Sequence, residues 1–150
     1  DEVNINKNIY DNNNYGWPIS SYGEHYPKMA PKDAYIKAPL YKSHSKYGFI
    51  EPIKYFVPSI GISQILKVED GFGDLNNQNY FFASLGYKDR INAMSIHQIV
   101  FNEKYDKIIY EDKIKINNRI RDIIYVPKEK IIIGYLEKKG SLITLSRNEW

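Results

Sequence analysis

The chain contains no cysteine, so neither a disulfide framework nor a thiolate metal site is open to it, although the absence does not fix a compartment. No stretch reaches the run of about 18 apolar residues that a transmembrane helix needs. Residues 1–14 are polar, acidic or amide-rich and lack the charged-then-apolar build of a secretory leader. A basic stripe is also missing: the net charge is +3, and the lysines are scattered along the chain, which argues against a nucleic-acid partner. Ala and Leu are scarce and no helical period emerges. There is no glycine-rich phosphate loop, no H-E-x-x-H, no G-x-S-x-G and no EF-hand loop. The acidic stretch Glu69-Asp70-Gly71-Phe72-Gly73-Asp74 invites a calcium reading but is read as a loop between strands.

What is present favours strands. Hydrophobic residues make up 43% of the chain and aromatics 15%, with Ile and Val crowded into the second half, the composition of a folded all-β protein. Residues 1–51 are loop-rich, with prolines at Pro18, Pro27, Pro31 and Pro39. A loop of that length inside a compact domain points to a functional excursion or an absent partner. Within it Asn14-Tyr15-Gly16-Trp17-Pro18 reads as an aromatic knot, with Trp17 as a plug at the end of a β-structure.

From residue 52 the strand signals become regular, over 53–57, 60–68, 79–85, 94–101, 107–116, 119–126, 130–136 and 141–146. In 107–116, Ile108, Tyr110, Ile114 and Ile116 share one face, the alternation of a half-buried strand in an antiparallel meander. The four strands between 60 and 116 are the content of one propeller blade, whereas 117–150 supplies only three. A three-stranded last blade exposes an edge that folded proteins pair or cover. The weak strand at the N-terminus, over 2–5, is a poor candidate to close it, so the closing strand and further blades are expected upstream. On that expectation residues 52–116 form one blade with its lead-in, and the 150 residues alone are an incomplete, aggregation-prone portion of a ring.

The stretch Asn117-Asn118-Arg119-Ile120-Arg121-Asp122 joins the two strand groups. Side chains alternate along an extended chain, so Arg119 and Arg121 share a face while Ile120 points toward a core. Two guanidinium forks on one small surface repel unless an anion lies between or above them, and Arg is shaped for bidentate capture of carboxylate or phosphate. The competing reading is a solvated strand start whose arginines face water and neighbouring acids.

Taken together, Asp1-Glu2-Val3-Asn4, Asn14-Tyr15-Gly16-Trp17-Pro18, Ser21-Tyr22-Gly23, Glu51-Pro52, Val57-Pro58-Ser59-Ile60, Ala83-Ser84-Leu85, Asn118-Arg119-Ile120-Arg121-Asp122 and Gly140-Ser141-Leu142-Ile143 resemble, in the same order, the C-terminal part of the glucose/sorbosone dehydrogenase family. The resemblance implies an incomplete C-terminal portion of a six-bladed β-propeller. It also implies a periplasmic or secreted quinoprotein that passes a hydride from a sugar to pyrroloquinoline quinone, with calcium at the site. Arg119 and Arg121 match the family's cofactor-contacting arginines, Asp1 the Asp of its D-E-[ILV]-N run, and Ser59 a hydroxyl residue that bonds the cofactor. Lys88 stands near the family's cofactor lysine but is displaced by Gly86-Tyr87. Val57 occupies a position where glucose-oxidising relatives can carry Trp, which leaves the sugar open.

The resemblance places the general-base His and the calcium ligands outside this chain. The chain's own histidines do not replace that base: His97 reads as a residue of a sheet face, and His25 and His44 as surface residues of the loop-rich part. Partners on this reading are a small sugar and the upstream blades. The alternatives are a non-catalytic propeller of the same superfamily that binds carbohydrate or protein, and a generic secreted β-domain that binds carbohydrate through loop aromatics.

Overall fold

The computed structural model describes residues 1–23, 40–69, 78–87 and 91–146, and these form an all-β protein with antiparallel sheets of two, four and three strands. Two compact units divide the chain, 1–59 and 60–150.

In the second unit β3 (Ile62–Val68), β4 (Asn79–Ser84), β5 (Ser95–Phe101) and β6 (Ile108–Lys115) pair in chain order, as do β7 (Ile120–Val126), β8 (Ile131–Leu136) and β9 (Ser141–Ser146). This is the four-then-three grouping that the strand signals led one to expect, and it accords with propeller blades. The core lies between the two sheets: Val68, Phe81, Ala83 and Ile96 from one face Ile120, Ile123, Ile132 and Leu136 from the other. Inner strands β4 and β5 bury residues on both faces, so their sequences run as nearly unbroken apolar or small residues. On the second face His97 stacks on Phe82, with ring centroids 4.9 Å apart, and its Nε2 stands 2.8 Å from the Asn92 carbonyl. His97 is a residue of a sheet face, as its strand context suggested. Edge strand β6 differs from the half-buried alternation expected of it, because most of its residues, including Ile109 and Tyr110, are exposed. An outermost strand has a neighbour on one side only, and alternation in its sequence does not guarantee a cover.

Two β-bulges mark equivalent places in the two sheets. Register slips between Ile62 and Gln64 at the start of β3, and between Ile120 and Asp122 at the start of β7. Each adds one residue against the partner strand, which bends the strand and re-aims a side chain. The extra residues are Ser63 and Arg121, and the Ser63 hydroxyl donates to the Ile120 carbonyl at 2.7 Å, tying one bulge to the other.

In the first unit the short strand at the N-terminus does form, as β1 (Glu2–Val3), but it pairs with β2 (Lys54–Tyr55). Trp17 is 72% exposed, so it does not seal the β-structure of its unit as expected; it sits on a turn, where no strand pairing draws the indole inward. His44 also departs from expectation. It is fully buried, stacked on Tyr22, and its Nε2 lies 3.3 Å from Glu2 Oε1. The loop-rich composition signalled a surface position, yet here loops pack on loops and an aromatic stack excludes water. His25 lies outside the described residues.

Tyr22 continues that stack onto Tyr55 and donates its hydroxyl to Glu51 Oε2 at 2.8 Å. The bond to Glu51, followed by burial, pushes the Tyr22 phenol up to about 12. A raised phenol means the folded state favours the protonated form. The Tyr22–Glu51 contribution is therefore complete below the ordinary tyrosine value of about 10 and is lost as pH rises through about 12. A phenolate absorbance titration of the intact protein should show a late component that Tyr22→Phe diminishes; an unchanged titration in that variant would count against the assignment.

Candidate anion-binding site

β7 begins where β6 ends. Ile116 and Asn117 both donate backbone N–H to the Met94 carbonyl at 3.1 Å, and Met94 and Asn117 both adopt left-handed backbone, at φ 54° and 59°. Asn accepts that conformation readily, whereas Met does so at a cost of order 1–3 kcal/mol. The turn thus delivers Arg119 to a fixed place, with its own N–H on Asn118 Oδ1 at 3.1 Å.

From there the bulge sets the geometry. Ile120 is fully buried, Arg121 and Asp122 are both exposed, and Ile123 is buried again. Simple alternation would have turned one of the two central residues inward. The extra residue lets Asp122 stay outside as well, while Arg121 keeps the side of Arg119 that alternation gives it, and both arginines reach one carboxylate, that of Glu137 just after β8. Arg119 Nε donates to Glu137 Oε2 at 2.5 Å, and Arg121 Nη2 donates to Glu137 Oε1. Arg119 Nη1 also donates to the Gly86 carbonyl at 3.2 Å. Gly86 has φ +24°, and a Cβ there would stand 2.7 Å from the Ile60 carbonyl, with Ala93 nearer still. Only glycine lets the loop after β4 come close enough to offer that carbonyl.

The side chains of Arg119, Glu137 and Arg121 are 25%, 31% and 51% exposed, so the cluster opens to solvent and carries a surplus of one positive charge. The hydrogen bond from Arg119, and next that from Arg121, hold the Glu137 carboxyl below the usual carboxylate range. A carboxyl depressed in this way contributes fully above the ordinary value of about 4.3 and loses its ion pairs only as pH falls through its own, lower value.

The structure brings Arg119 and Arg121 together in the second unit. In the first it joins Asp1 and Ser59, whose hydroxyl donates to Asp1 Oδ1 at 2.8 Å. Lys88 lies outside the described residues. Val57 is exposed. Glu137 and Gly86 were not foreseen. Carried back without a bulge from the Val126↔Ile131 pair, the hairpin register would set Arg121 opposite Leu136; the slip instead brings Glu137 to Arg119, where its backbone N–H donates to the Arg119 carbonyl at 2.9 Å. No residue pattern in the strand announces that slip.

A family model described as Glucose / Sorbosone dehydrogenase matches residues 1–144. The chain is also 27% identical over 145 residues to the uncharacterized protein slr1608 of Synechocystis sp. (strain ATCC 27184 / PCC 6803 / Kazusa), an alignment covering 97% of this chain and 31% of that protein. It therefore spans under a third of that relative's length. No solved structure matches the chain.

Proposed function

Because the chain belongs to the glucose/sorbosone dehydrogenase family, we propose that it is the C-terminal part of a quinone-dependent sugar dehydrogenase, with Arg119 and Arg121 as anchors for the carboxylates of pyrroloquinoline quinone. The observation that carries the reading is the convergence of both guanidinium groups on one carboxylate, that of Glu137. A pair that already grips one carboxylate has the geometry and charge to grip another. When bound, the quinone supplies the hydride acceptor for oxidation of the sugar at C1.

The residues of this chain bind and orient. Arg119, fixed by Gly86 and Glu137, presents a rigid fork. Arg121, more exposed, adds charge and neutralises carboxylate at the rim. Asp1 and Ser59, bonded to each other, are the polar groups that the family resemblance assigns to the cofactor's surroundings. Removing the proton of the C1 hydroxyl needs a base within hydrogen-bond reach. His97 and His44 are buried in stacks on Phe82 and Tyr22, so the base is proposed to come from another part of the protein. Calcium is expected on family resemblance, and no step is assigned to it, since no group of three or more His, Asp or Glu suited to a metal occurs among the described residues. An extracytoplasmic location is proposed on the same resemblance; among the described residues no helix is long and apolar enough to cross a membrane.

The test uses the intact protein, loaded with calcium and quinone. Retained quinone and dye reduction driven by aldoses are expected. An intact protein that does not retain the quinone would remove this reading in favour of a non-catalytic member of the family.

A further inference from the structure

Glu137 is a costly residue to place at a site meant for anions, because it cancels half of the charge that would attract them. Its position is nonetheless well determined. The backbone is pinned to Arg119 by the 2.9 Å bond from its N–H, and the side chain divides its two oxygens between the two arginines. Each guanidinium keeps donors in reserve: Arg119 uses Nε and Nη1, and Arg121 uses Nη2. The carboxylate is partly exposed and lies at the turn that follows β8, so water can solvate it whenever it lets go.

We propose that Glu137 is a built-in competitor for the arginine pair, an internal carboxylate that preorganises both forks and yields them to an incoming anion, and that it thereby selects ligands bearing more than one carboxylate. The logic is one of exchange. A monocarboxylate that displaces Glu137 replaces one carboxylate–arginine interaction by another and gains little. A polycarboxylate can take the released donors and the reserve donors at once, so its second carboxylate supplies a net gain. Without a ligand, Glu137 keeps two like charges from splaying apart, a repulsion that an exposed pair at this spacing would otherwise relieve by turning into water. A purely structural ion pair makes the opposite forecast, since removing it loosens the forks and weakens any anion bound there. The inference rests on the reading that the arginine pair receives an anionic ligand, but not on that ligand being the quinone.

The deciding experiment is calorimetric titration of the intact protein and its Glu137→Gln variant with citrate and with acetate at low ionic strength. Glu137→Gln should bind citrate about tenfold tighter, the size of one partly screened charge interaction. The ratio of citrate to acetate affinity should fall, and the citrate affinity should depend more steeply on salt. Glu137→Asp keeps the charge but is too short to bridge both forks, and should tighten citrate by a smaller factor. Unchanged or weaker citrate binding in whichever of these variants folds would overturn the proposal, as would the absence of citrate binding in both the parent and the variants. A parallel titration with pyrroloquinoline quinone keeps the two readings apart: a citrate response without quinone binding leaves the competitor role standing and sinks the quinoprotein assignment.

Discussion

Arg119→Met in the intact protein is expected to weaken quinone binding about 100-fold, the equivalent of two charge-assisted hydrogen bonds at roughly 1.5 kcal/mol each. Arg119 is the less exposed of the pair, and its fork is held from two sides, by the Gly86 carbonyl and by Glu137. A ligand carboxylate that displaces Glu137 therefore meets a fork already held in place. Arg121→Met should cost closer to tenfold, because its guanidinium is half exposed and more strongly screened. Fluorescence or spectral titration of the quinone against each variant gives both numbers. Equal affinity in the parent and Arg119→Met would sink the assignment of this fork to the cofactor. Met keeps the length and apolar stem of Arg, and the neighbouring Ile120 lies in the core cluster and is left unchanged. Denaturation of the variant should thus show a change small beside the loss of binding.

The second large effect concerns the fold that carries the site. Phe81→Ala removes an inner-strand ring that is 1% exposed and lies in the cluster between the two sheets, among Ile96, Ile120 and Ile132. The expected loss is about 3–5 kcal/mol, made of the transfer term for the missing ring and the cavity it leaves. Ile120 and Phe81 share that cluster, so the cavity should be felt at the bulge beside Arg121, and anion affinity should fall together with stability. Lys104→Ala is the matching control. Lys104 is exposed in the turn between β5 and β6, and its truncation should change stability by no more than about 0.5 kcal/mol. Equilibrium denaturation of the intact protein measures both. A loss of under about 1 kcal/mol for Phe81→Ala would mean that the interior between the sheets is far looser than its burial indicates.

Much of the architecture was legible in residue order. Runs of β-branched and aromatic residues, punctuated by Asn102-Glu103, Pro127-Lys128-Glu129 and Lys138-Lys139-Gly140, are enough to place seven strands and to group them as four and three. Local chemistry decides such features: strand period, turn residues and the lack of helix formers act over a few residues and leave a direct trace. The arginine pair was legible for the same reason, as two like charges two residues apart at the start of a strand.

Other features were decided only when distant segments met. His44 and Trp17 sit in loops of similar composition, yet the first is fully buried and the second 72% exposed. The difference arises from which aromatic rings happen to stack, and that depends on Tyr22 and Tyr55, far away in the chain. Family order in the residues determined that this chain is a dehydrogenase-family β-structure with two candidate anion-binding arginines. Tertiary structure decided what those arginines hold. The slip at Arg121 goes with the fit of the two sheets, where the Ser63 hydroxyl of one bulge donates to the Ile120 carbonyl beside the other. Such a match is a property of two sheets in contact, so neither strand records it alone, and only the folded chain shows Glu137 standing between the two forks.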